Sequence, residues 1–142
     1  MSAADSSRSL FAMETFIAES LEASLTVKDL EKSLAWYRDV VGFVLDRRHE
    51  RDGKLIAATL TAGAVRLLLT QDDGAKGLDR VKGVGFSLQL TTHQSADAIA
   101  ARIKEHGGAL DSEPVDTPWG ARVFRLRDPD GFRLTFSSVH AA

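Results

Sequence analysis

The stretch Glu22-Ala-Ser-Leu-Thr-Val-Lys-Asp-Leu-Glu-Lys-Ser-Leu-Ala-Trp-Tyr37 changes its periodicity at Asp29. Before that point Ala23, Leu25 and Val27 alternate with Glu22, Ser24 and Thr26, the period-two pattern of a strand with one buried face. After it Leu30, Leu34, Tyr37 and Val41 recur at helical spacing, so a strand is expected to pass almost directly into a helix. Asp29 has the side chain of an N-cap, Lys32 stands where a capping-box partner would be, and Glu31 suits the positive end of the helix. Gly42 is the expected stop.

Three short strands are expected next, at Phe43 to Arg48, Leu55 to Thr61 and Val65 to Thr70, with turns at Asp52-Gly53 and Ala62-Gly63. The stretch from Gln71 to Lys82 is a connector by composition, and the same order then returns. Val84 to Leu90 alternates, and Ser95 to His106 carries the stripe Ala96, Ile99, Ala100 and Ile103 before Gly107-Gly108 ends it. Ala109 to Val115, Ala121 to Leu126 and Phe132 to Ser138 complete the set, with turns at Pro118 and at Asp128-Pro129-Asp130-Gly131. The repeat lies in element order rather than residue identity. It predicts an α+β fold of two βαβββ modules whose curved mixed sheets surround a cavity, each helix covering one sheet face. The expected boundaries are a tail over 1–20, a domain over 21–138 and a short tail over 139–142. Within the domain, module one spans about 21–72, a linker 73–82 and module two 83–138. Leu10, Phe11, Phe16 and Ile17 in the first tail form a possible docking patch.

Composition narrows the class of function. A chain of 142 residues with 44% hydrophobic content has enough apolar material for one packed core. The absence of cysteine removes disulfides, thiolate metal sites and a Cys nucleophile, and agrees with a cytoplasmic setting. A net charge of −2 with mixed signs gives no footprint for nucleic acid. Glu14 and Glu19 interrupt the short apolar pieces of the N-terminus, so no signal peptide or membrane span is expected.

The segment Val27 to Tyr37, then Gly42-Phe43, and later Trp119-Gly120 with Asp128-Pro-Asp-Gly131, resembles the vicinal-oxygen-chelate superfamily of glyoxalases, bleomycin-resistance proteins and extradiol dioxygenases. The likeness runs over roughly residues 21 to 138. It implies a small-molecule site, commonly built in a homodimer, in which metal-dependent members place His, Glu or Gln ligands on the first and last strands of each module. Those positions fall here on Glu22, Leu67, Gly85 or Ser87, and Thr135. Only Glu22 is a competent ligand, whereas three protein ligands are usual even for an open site. The resemblance therefore implies the scaffold without its metal and without another cofactor. The alternative is a divalent-metal lyase, isomerase or dioxygenase whose ligands lie elsewhere.

The histidines do not form an obvious replacement set: His49 falls in a hairpin strand, His93 in a loop, His106 at a helix end and His140 in the tail. Asp128 and Asp130 read as turn residues, since the segment lacks the run of donors of a calcium loop. Glu22, Ser24, Leu67, Leu69, Ser87, Gln89, Trp119 and Thr135 are the expected ligand-binding residues, an apolar wall with a few polar groups to orient the ligand. Glu22 is the one catalytic candidate, as a general base, with a carboxylate that is solvated or paired with an arginine as the competing reading. Leu67 and Leu69 read equally as core. Trp36 reads as interface or core, Trp119 as a pocket rim, and Arg125 and Arg133 as exposed strand residues or partners of an anion.

Overall fold

The computed structural model describes residues 15–139; Leu10, Phe11 and His140 lie outside them. β1 (Ala23–Val27) leads into α1 (Leu30–Ala35), followed by β2 (Val44–Arg51), β3 (Lys54–Ala62) and β4 (Val65–Gln71). The second module repeats the order with β5 (Ser87–Thr92), α2 (Ala96–Glu105), β6 (Ser112–Asp116), β7 (Ala121–Arg127) and β8 (Arg133–Val139). The strand order is β1-β4-β3-β2 in one sheet and β5-β8-β7-β6 in the other. In each sheet the first strand runs parallel to the last and the remaining pairs are antiparallel.

The expected curvature is corrected by this topology. Both sheets are open, neither curled nor closed, with β1 and β2 as edges of one and β5 and β6 as edges of the other. Four strands are well short of the roughly eight that close around side chains. The apolar face of each sheet is instead satisfied by a shared core. Leu25, Val27, Leu60 and Leu69 from the first sheet join Phe124, Leu126, Leu134 and Phe136 from the second. Leu30, Leu34, Ala100 and Ile103 bring both helices into the same cluster. The opposite faces of the two sheets consequently point away from that core.

Local chemistry explains the remaining departures. Asp29 is extended, and its side chain accepts from Lys32 N, as an N-cap does. The first helix changes to π-helical geometry over Trp36–Val41 and stops at Gly42, whose φ of 107° only glycine adopts freely. The strand expected from Val84 begins only at Ser87, because Gly83 and Gly85 take positive φ and interrupt the extended run. β6 starts late, at Ser112 rather than Ala109. No described helix is long and apolar enough to cross a membrane.

Asp128 and Asp130 do more than shape a turn. Asp128 Oδ1 accepts from the backbone N–H groups of Asp130 and Phe132, while Oδ2 accepts from Tyr37 Oη at 2.8 Å. Asp130 accepts from Lys28 N at 2.7 Å. It also shares the buried Lys82 ammonium with Asp72, at 3.4 and 2.9 Å. These bonds tie the second-module turn to the first module. Burial pushes the Tyr37 hydroxyl well above its usual pKa, and the neighbouring Asp128 adds to that shift. Burial also raises Asp128, against the hydrogen bonds it accepts from Tyr37 and the backbone. The hydrogen bond from Lys82 has the opposite effect on Asp72, holding its pKa at about 2.

Candidate functional site

The parallel pairing of β1 with β4 sets the first half of the site. Ala23 lies beside Leu67 and Leu25 beside Leu69, so these four share the core face. Leu69 is fully buried and Leu67 is 2% exposed. The alternate residues Arg66, Leu68 and Thr70 turn to the other face, where Ser24 pairs with Leu68 and Thr26 Oγ1 lies 3.2 Å from Thr70 Oγ1. Glu22 reaches Arg66 across the same edge, with Oε1 2.6 Å from Nε, and Arg66 lies 3.6 Å from Asp46. The Glu22 carboxylate is therefore engaged by a guanidinium rather than presented alone as a base.

β5 supplies the second half. Ser87 Oγ lies 3.3 Å from Thr135 Oγ1 and accepts from Gln89 Nε2 at 3.1 Å. Thr135 is only 4% exposed. A cavity of about 410 Å³ opens between the starts of β1 and β4 and the length of β5. Glu22, Leu67, Ser87 and Gln89 line it together. Its walls also include Phe43, Arg66, Phe86, Leu88 and Leu90, which the sequence reading did not single out. Arg66 carried a legible signal, because polar residues at 66 and 70 show which face of the Leu67-Leu-Leu69 run is solvated. Phe43 did not: a lone aromatic after a helix stop gives no indication of which wall it joins.

The other expected binding residues are placed away from that cavity. Leu69 is in the core, Ser24 is exposed on the open face, and Thr135 reaches the cavity wall only through Ser87. Trp119 is 77% exposed, in the turn before β7. Trp36 packs edge-on against Tyr37, with ring centroids 4.9 Å apart. Gly85 has φ of 71° just before β5 and offers no donor side chain. His106 Nδ1 lies 2.8 Å from Arg102 O at the end of its own helix. Among the described residues, no three His, Cys, Asp or Glu side chains come together in an arrangement that holds a metal ion. With Glu22 bound to Arg66, and Leu67, Ser87 and Thr135 at the other three positions, this donor set does not fit a divalent cation.

A family model described as Glyoxalase/Bleomycin resistance protein/Dioxygenase superfamily matches residues 19–136. The chain is 30% identical over 112 residues to a catechol-2,3-dioxygenase of Bacillus subtilis, a match covering 77% of this chain but only 37% of that enzyme. It is 28% identical over 120 residues to a lactoylglutathione lyase of Salmonella typhimurium, covering 80% of this chain and 87% of the lyase. Among solved structures, TnmS3, an antibiotic binding protein from Streptomyces sp. CB03234, superposes with a TM-score of 0.67 at 27% identity. That match covers 89% of this chain and 99% of TnmS3. TioX from Micromonospora sp. ML1 shares the fold, with a TM-score of 0.69 at 21% identity over 85% of this chain and 99% of TioX.

Proposed function

This chain belongs to the glyoxalase/bleomycin resistance protein/dioxygenase superfamily, and from that premise we propose that it binds a small, partly apolar or aromatic molecule without using a metal. One observation carries the reading: a cavity of about 410 Å³ is lined by Glu22, Leu67 and Ser87, three of the four positions where the resemblance expects metal ligands, and they hold a leucine, a serine and an arginine-bound glutamate. The volume lies in the range of ligand pockets, and a few polar groups on apolar walls are what orientation requires. Leu67, Leu88 and Phe43 supply burial, while Gln89, Ser87 and the Glu22–Arg66 pair supply direction. The antibiotic binding described for TnmS3 supports the same direction for this chain.

The reading includes a homodimer and a cytoplasmic setting. Support for the dimer comes from the open edges of β1 and β5, which carry unpaired backbone groups beside exposed Leu21, Val65 and Phe86. A second copy seated there would cover the cavity mouth. The cysteine-free composition agrees with a reducing compartment. The experiment is a thermal-shift and calorimetric screen of aromatic compounds and antibiotics against chelator-treated protein. Saturable binding with a rise in Tm is expected; a panel without any saturable binder removes the reading.

A further inference from the structure

The open face of the second sheet meets the cavity along β5, at Ser87 and Gln89, and differs in charge from its counterpart. We infer that this face receives an anionic group, so that the ligand carries a carboxylate; the inference rests on the small-molecule reading above. Register defines the surface. Ser87 pairs with Arg133, and Arg133 with Arg127. In the next row on the same face, Gln89 pairs with Thr135, Thr135 with Arg125 and Arg125 with Ser112. Ser87 and Gln89 line the cavity, so both rows begin at its wall.

Three guanidiniums crowd this face. Arg127 stands directly opposite Arg133, and Arg125 is their diagonal neighbour, an arrangement of like charges that disfavours the bare sheet. Arg127 is compensated by Asp111 at 3.1 Å. Arg125 and Arg133 are exposed and form no ion pair among the described residues. The corresponding face of the first sheet is arranged differently, since Arg66 there is held by both Glu22 and Asp46.

Neutral hydrogen-bonding groups complete the floor. Ser87 Oγ, Thr135 Oγ1 and Gln89 Nε2 form a chain of contacts at 3.3 and 3.1 Å. At the far end of the row, Ser112 Oγ is buried without a hydrogen-bond partner among the described residues. Neighbouring strands lie about 4.8 Å apart, so a carboxylate seated over Thr135 is flanked by Arg125 and Arg133 and accepts from hydroxyl and amide donors. Charge-assisted bonds of this kind are stronger than neutral ones, and guanidinium matches a carboxylate in two-point geometry. The apolar remainder of such a molecule extends over the β5 edge, where Ser87 and Gln89 meet the cavity.

The test uses the full chain and matched sets of aromatic carboxylates, their primary amides and the corresponding amines, titrated by calorimetry. Carboxylates are expected to bind about tenfold more tightly than their amides, with the advantage shrinking as salt rises. Arg125→Gln/Arg133→Gln should abolish the advantage without lowering Tm, since it relieves like-charge crowding, and Arg125→Lys/Arg133→Lys should retain part of it with Tm unchanged. Equal affinity of acids and amides in the parent, or an undiminished preference in the glutamine variant, overturns the charge assignment and leaves small-molecule binding standing. If acids, amides and amines all fail to bind, the small-molecule reading falls and this inference with it.

Discussion

Single side chains account for the most specific behaviour. Gln89 stands on the cavity wall and is exposed, so Gln89→Trp should fill the space and weaken binding of an aromatic ligand about tenfold while shifting Tm little, as titration beside a melting curve would show. Asp72 gives a pH-dependent counterpart. Lys82 holds its folded pKa at about 2, below the ordinary 3.8. Its contribution is thus fully present above about pH 4 and is lost as pH falls toward about 2. Asp72→Asn should therefore be less stable than the parent near neutral pH, and the two denaturant midpoints should converge as pH approaches 2; a constant gap would contradict this assignment. Glu22 shows how far one residue could be read from sequence. Its pairing with an arginine was legible only as one of the readings, and the structure puts it on the cavity wall. The choice between them depends on the β1–β4 register, which brings Arg66 within 2.6 Å and is a long-range contact.

At the scale of elements, the junction between the modules is the sensitive place. A Cβ on Gly108 would lie 2.4 Å from Ile103 Cγ2 and 2.8 Å from Val40 Cγ1, so the end of α2 approaches the first module too closely for any side chain. Gly108→Ala should cost about 1–3 kcal/mol by chemical denaturation, the range for overpacking. Tyr37→Phe removes the bond to Asp128 across the same junction and should cost about 1–3 kcal/mol, because a buried acceptor then loses a partner. Strand and helix order was readable because period two and period 3.6 alternate cleanly from Ala23 to Val41 and again from Leu88 to Ile103. The start of β5 was not, since Val84 and Phe86 continue the alternation while the positive φ of Gly83 and Gly85 breaks the backbone. The double role of Asp128 and Asp130 was hidden for a related reason. A turn motif reports its local hydrogen bonds, while Tyr37, Lys28 and Lys82 come from distant parts of the chain.

For the whole molecule, two open sheets share one core and leave their other faces outward, with four strands as edges. The expected curvature around a cavity failed because burial could be satisfied by packing module against module, a choice that periodicity within each strand does not encode. Light scattering should find a particle of twice the 15.4 kDa chain mass, and a monomer at working concentration would remove the dimer from the account. The central claim is that this scaffold binds its ligand without a metal, and its most direct test is one titration done two ways. A ligand found in the screen is titrated into chelator-treated protein and again into protein supplied with Mn, Fe, Ni or Zn. The account predicts the same affinity and stoichiometry in both, with no metal retained after desalting; binding that appears only with a stoichiometric metal would contradict it.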